Sequence, residues 1–88
     1  MISIILPCFN EQDSIKDYIE AVNTNLNKLK FEYEIIVVND GSTDKSVDKI
    51  KETQAKLISH PQNLGYGAAL KSGIKYAKYD TIIMTDPD

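Results

Sequence analysis

Eighty-eight residues with 42% hydrophobic and 26% charged side chains suit one small globular unit and exclude a disordered tail or a fibrous repeat. The net charge is −3 and the ten basic residues are all lysines, spread without a run. No basic stripe therefore offers a nucleic acid its phosphate contacts. The lone Cys8 cannot close an internal disulfide, which fits a reducing compartment and reads as a buried apolar thiol. The apolar runs fall short of the ~20 residues of a membrane helix, and Met1 leads into a strand-like segment without a basic leader.

Residues 2–6 form a short β-branched run closed by Pro7, which predicts a buried strand. Over residues 11–30 the period changes: Ile15, Tyr18, Ile19, Val22, Leu26 and Leu29 make one apolar helical stripe, with Asn10 or Asp13 as the cap. Residues 33–38 return to a strand pattern, broken by the turn formers Asn39-Asp40-Gly41-Ser42. Val47 and Ile50, with Ala55 at the end, mark a weaker second helix, and residues 56–59 a short third strand. After the loop His60-Pro61-Gln62, Asn63 is placed to cap a third helix whose inner side carries Leu70, Ile74 and Ala77. Residues 81–85 give a fourth strand, followed by Asp86-Pro87-Asp88.

The alternation β-α-β-α-β-α-β predicts an α/β fold: an open parallel sheet of about four strands with helices on both faces. Ligands of such sheets bind beyond the carboxyl ends of the strands, where strand order reverses. The acids and amides gather after those strand ends, which suggests one shared site. Taken singly, each cluster has a plainer reading. Asn39 to Asp44 has the residues of an ordinary turn and helix cap, and Pro7 with Asn10 and Glu11 can be a strand stop and helix start. Oxygen ligands on a short turn suit Mg²⁺ or Mn²⁺, but Asp86 and Asp88 alone fall short of an octahedron. His60, without a second ligand at metal spacing, reads as a surface or hydrogen-bonding residue, and the tyrosines as packing residues whose hydroxyls reach water.

Order and spacing add a further signal. The segments Ile4-Ile5-Leu6-Pro7-Cys8-Phe9-Asn10-Glu11, Glu34 to Asp44, Asn63-Leu64-Gly65 to Gly73 and Asp86-Pro87-Asp88 together resemble the start of a family 2 glycosyltransferase of the GT-A fold. The likeness is nearest to enzymes that load a sugar onto a polyprenyl or dolichyl phosphate, and it covers residues 1–88 as the N-terminal, donor-nucleotide part of a Rossmann-like domain. It implies a UDP- or GDP-type sugar donor, inversion at the sugar, and an acceptor that is a lipid phosphate or a glycan. Pro7, Asn10 and Glu11 would line the nucleoside pocket, Asp40 would accept a hydrogen bond from the base, and Gly65 and Lys71 would lie by the ribose and diphosphate. Asp86 and Asp88 match the DXD motif that holds Mg²⁺ or Mn²⁺ against the diphosphate, with Asp86 also beside the nucleotide.

Asn39 stands where relatives often have Asp. The family's catalytic base and acceptor segments follow this pattern, so the chain alone is expected to bind nucleotide weakly if at all and to transfer no sugar. The resemblance further implies a cytoplasmic location, or the cytoplasmic face of a membrane, and a bare sheet edge would invite pairing with a second copy. Other readings use the same fold. A receiver-like signalling module wants paired acids after the first strand, and a P-loop module wants glycine where Leu70 stands in the Gly65-Tyr66-Gly67 stretch.

Overall fold

The computed structural model describes residues 1–85. The elements are β1 (Ile2–Cys8), α1 (Ile15–Asn27), β2 (Tyr33–Asp40), α2 (Ser46–Lys51), β3 (Lys56–His60), α3 (Tyr66–Tyr76) and β4 (Thr81–Met84), in the predicted alternation. The strands pair in parallel, in the order β3-β2-β1-β4. Strand order therefore reverses at β1, which has β2 on one side and β4 on the other.

Every residue of β1 is buried, because helices cover both of its faces. On one face Ile4, Leu6 and Cys8 pack with Ile35 and Val37 of β2, Ile15 and Ile19 of α1 and Ile50 of α2. On the other, Ile5 packs with Ile36 and Val38 against Ala69 of α3. Each fully buried aliphatic side chain contributes roughly 1.5–3 kcal/mol relative to its exposed state, and these two clusters hold the sheet between its helices. α3 sits so close to β1 that a Cβ on Gly73 would lie 2.5 Å from the Ile5 side chain.

β2 also fastens both ends of α3. At its start the buried Glu34 accepts hydrogen bonds from Ser3 Oγ and the Lys78 backbone, just past α3, and pairs with Lys56. At its end the buried Asp40 accepts from the Leu64 and Gly65 backbone, just before α3. The even-numbered residues of β2 share one face, so a single strand carries both carboxylate anchors.

Several bounds differ from the sequence reading. Pro7 does not close β1, which runs to Cys8. Ile2 N donates to Glu32 O on the β2 side, whereas Ile5 O accepts from Thr85 N on the β4 side. Alternation then turns the Pro7 nitrogen toward β4, past the last β4 residue paired with β1, so proline costs the β1–β2 ladder no hydrogen bond. β2 likewise runs through Asn39 to Asp40, because these residues pair with Ser59 and His60 of β3.

α1 begins after Ser14, which makes no side-chain cap bond; Asn10 instead accepts from Thr43 N, and Asp13 is exposed. α1 ends before Leu29, which is exposed, and α2 ends before Ala55. α3 starts after Gly65 with no side-chain cap bond, and Asn63 donates to Asp40 O rather than capping. Its buried residues are Ala69 and Gly73, while Ile74 is exposed. Tyrosine hydroxyls also find protein partners: Tyr18 on Thr85, Tyr33 on Asn23 and Tyr79 on Glu32.

Candidate functional site

The loop after β1 and the loop after β2 are laced together by reciprocal bonds. Asn10 N donates to Ser42 Oγ, and Asn10 Oδ1 accepts from Thr43 N at 2.8 Å. Asn10 holds φ 53°, a left-handed backbone that asparagine tolerates better than most residues. Glu11 N donates to Ser46 Oγ, Gln12 N to Asp44 Oδ2, and Lys45 N to Gln12 Oε1. Ser46 is fully buried and passes its own hydroxyl proton toward Asp44 Oδ1 at 2.6 Å. Burial alone would push the Asp44 carboxyl up, but the bonds from Ser46 and Gln12 outweigh it and hold it below the usual carboxylate range. Of the turn-and-cap reading of Asn39 to Asp44, the turn bond from Ser42 N to Asn39 Oδ1 is present and Asp44 accepts from Ser46 N, but the N-cap residue of α2, Lys45, makes no side-chain cap bond.

Asp40 ends β2 with its side chain 6% exposed. Oδ1 accepts from Leu64 N at 2.9 Å and from His60 Nδ1 at 2.8 Å, while Oδ2 accepts from Gly65 N at 2.9 Å. Burial again acts to raise the pKa, and the bonds from His60 and the two amides reverse it, so the carboxyl stays ionised below its ordinary value. His60 Nε2 lies 2.8 Å from Ser72 Oγ on α3. Gly41 follows at φ 75°, with its missing Cβ position 2.3 Å from the Gln62 backbone carbon. Only glycine lets the β2 turn pass the β3–α3 loop at that distance.

Between these loops lies a cleft of about 330 Å³ at the carboxyl ends of β1 and β2. Pro7, Cys8, Phe9 and Glu11 form one wall, Asp40 the floor, and Asn63, Gly65, Tyr66 and Ala69 the other wall. Pro7, Glu11, Asp40 and Gly65 are therefore brought together at the ends of β1 and β2; the third strand end of the shared-site reading, Asp86 and Asp88, lies outside the described residues. Asn10 is not among the lining residues and braces the loop behind them; Lys71 is exposed on α3 and lines no part of the cleft. Phe9 and Tyr66, which line the cleft, are 45% and 55% exposed. Burial pushes the Cys8 thiol up and keeps it neutral.

Asp86 and Asp88 lie outside the described residues. Among the described residues no group of His, Cys, Asp and Glu is arranged to hold a metal ion, and no helix is long and apolar enough to cross a membrane. The chain reaches Thr85, whose amide bonds to Ile5 O beside the reversal point. The Leu64 and Gly65 amides, which would meet a phosphate in a P-loop, are taken by Asp40. Sequence reasoning missed Phe9 and Tyr66 as cleft residues, the ties of His60 and Asn63 to Asp40, and the tie of Ser72 to His60. Only the exposure of two aromatic residues beside turn formers could have suggested the first.

A larger cleft, about 460 Å³, opens at the other end of the sheet between α1 and the α2–β3 turn. It lies at the amino ends of the strands, away from the reversal point, and carries none of the clustered loop residues.

Known proteins are similar to this chain in sequence and in fold. A poly-beta-1,6-N-acetyl-D-glucosamine synthase of Staphylococcus aureus is 39% identical over 99% of the chain and 21% of its own length. An undecaprenyl-phosphate 4-deoxy-4-formamido-L-arabinose transferase of Pseudomonas fluorescens is 32% identical over 99% of the chain and 27% of its own length. The chain thus spans less than a third of these curated relatives. The crystal structure of glucosyl-3-phosphoglycerate synthase from Mycobacterium tuberculosis, in complex with Mn²⁺, UDP and phosphoglyceric acid, superposes with a TM-score of 0.84 at 27% identity. That match covers 100% of this chain and 33% of that one. The profile of glycosyl transferase family 2 matches residues 3–88, and the chain belongs to that family.

Proposed function

We propose that this chain forms the donor-nucleotide part of an inverting glycosyltransferase, which moves a sugar from a UDP- or GDP-sugar to a polyprenyl phosphate or a glycan. The observation that carries the reading is the convergence of Pro7, Glu11, Asp40 and Gly65 on one cleft beyond the carboxyl ends of β1 and β2. A base enters between Phe9 and Tyr66, whose exposed rings offer stacking faces. Asp40 has spent most of its acceptor capacity on His60, Leu64 and Gly65, so it offers the base one remaining lone-pair direction on a rigid floor. Glu11 faces the ribose, and Lys71, projecting from α3, approaches the diphosphate from outside the cleft.

Asp86 and Asp88 supply hard carboxylate oxygens of the kind that hold Mg²⁺ or Mn²⁺, and they follow directly from the point where Thr85 leaves β4 beside β1. A divalent ion held there would neutralise the charge that develops on the departing diphosphate. The chain's own residues bind and orient the nucleotide; no residue of the cleft is assigned as the base that deprotonates the acceptor. The protein works in the cytoplasm or at the cytoplasmic face of a membrane, and the β4 edge, with Ile83 and Met84 exposed, accepts a second copy as its pairing strand.

Calorimetry with UDP, GDP and ATP in the presence of Mn²⁺ tests the reading. UDP or GDP is expected to bind more tightly than ATP, and Asp40→Ala to weaken that binding by at least about tenfold, the loss of a charge-assisted contact. Tighter binding of ATP, or full affinity in the variant, would contradict it.

A further inference from the structure

Asp40, His60 and Ser72 form a chain of hydrogen bonds that crosses from β2 through β3 to α3, with both links at 2.8 Å. Ionised Asp40 can only accept, so His60 Nδ1 carries the proton of that bond, and in the neutral ring Nε2 accepts from the Ser72 hydroxyl. The same order of groups serves nucleophilic catalysis elsewhere, but Ser72 is an interior residue of α3 and does not line the cleft. A nucleophile there would have no substrate to meet. What the chain does hold is the floor: the Asp40 oxygen fixed by His60 also receives Leu64 N, and its other oxygen receives Gly65 N, which leads into the Gly65–Tyr66 wall.

We infer that His60 and Ser72 are positioning residues of the donor-nucleotide cleft: Ser72 orients the imidazole, the imidazole orients Asp40, and Asp40 fixes the Leu64–Gly65 backbone against the nucleotide. The inference rests on the nucleotide-site reading above. His60 is shielded from the ligand behind Asp40, with its side chain only 10% exposed, so its effect reaches the nucleotide through that carboxylate.

Ser72→Ala, His60→Ala and His60→Asn test it in the full chain. Alanine is a better helix former than serine, so Ser72→Ala keeps α3, which circular dichroism verifies. Without nucleotide, the wild-type imidazole is expected to show ¹⁵N shifts of a ring protonated at Nδ1, and Ser72→Ala to move the Nε2 resonance and speed exchange of the Leu64 and Gly65 amides. UDP binding with Mn²⁺ is then expected to weaken about threefold to tenfold in Ser72→Ala and further in His60→Ala. His60→Asn, whose amide N–H can replace Nδ1–H toward Asp40, should recover most of the loss. UDP affinity unchanged in Ser72→Ala and His60→Ala overturns the inference while the nucleotide site stands. Wild-type protein that binds neither UDP nor GDP overturns the site, and this inference with it.

Discussion

Ser46 shows how much of the site depends on groups that never face the cleft. Its buried hydroxyl accepts from Glu11 N and donates to Asp44, so Ser46→Ala removes both bonds at a buried point, while Asp44 keeps those from Gln12 N and Ser46 N. An unsatisfied buried group costs about 1–3 kcal/mol. Urea denaturation is expected to show a loss of that size, and a change of only a few tenths would mean that water replaces the hydroxyl. Asp40, Asp44 and Glu34 all have carboxyls held below their ordinary values, in each case because hydrogen bonds outweigh burial. In acid the unfolded chain therefore binds more protons than the folded one, and stability rises with pH across that window. Thermal melts should be flat from neutrality to about pH 4.5 and then fall steadily through the region below the ordinary carboxylate values. Constant stability down to pH 2, on the order of two units below those values, would contradict the assignment of these bonds. The residue types of this network were legible in the sequence, since Asn, Asp, Ser and Gly mark turns. Their partners were not: Asn10 with Thr43, and His60 with Asp40 and Ser72, join separate elements, and such contacts leave no periodic trace.

At the scale of elements, hydrophobic period found every strand and helix but misjudged where some end and which way one faces. β-branched runs marked β1 and β2, yet Pro7, Asn39 and Asp40 read as breakers because their pairing is decided by the neighbouring strands. The sequence reading of α3 rests on Leu70, Ile74 and Ala77; Leu70 and Ala77 do pack against the core, but Ile74 is exposed, and the buried residues against the sheet are Ala69 and Gly73. Small residues mark the seam because the helix axis lies close to β1, and a large side chain there has no room. Gly73→Ala puts a methyl 2.5 Å from Ile5 Cγ2, and overpacking of this kind costs roughly 1–3 kcal/mol. Ile5→Ala alone costs roughly 2–5 kcal/mol through the cavity it leaves. The double variant should lose less than the sum, because the new methyl enters the space Ile5 vacates. Additive losses would show that α3 moves away from β1 instead.

For the whole molecule, strand order decides where chemistry can occur. Because β4 lies on the opposite side of β1 from β2, the loops after β1 and β2 open beside the point where the order reverses. The resemblance to family 2 glycosyltransferases is carried by the motif residues themselves, whereas the cleft follows only once the sheet places Pro7 beside Val38 and Cys8 beside Asn39. Among the described residues a cleft lies at each end of the sheet, and a third, of about 490 Å³, lies beside β3 and Tyr76. Amide chemical-shift mapping during a titration with UDP and Mg²⁺ distinguishes them directly. The shifts are expected to centre on Cys8, Phe9, Glu11, Asp40, Asn63, Gly65 and Tyr66. Shifts centred on Glu20, Asn23, Thr53 and Lys56, at the other end, would contradict the account.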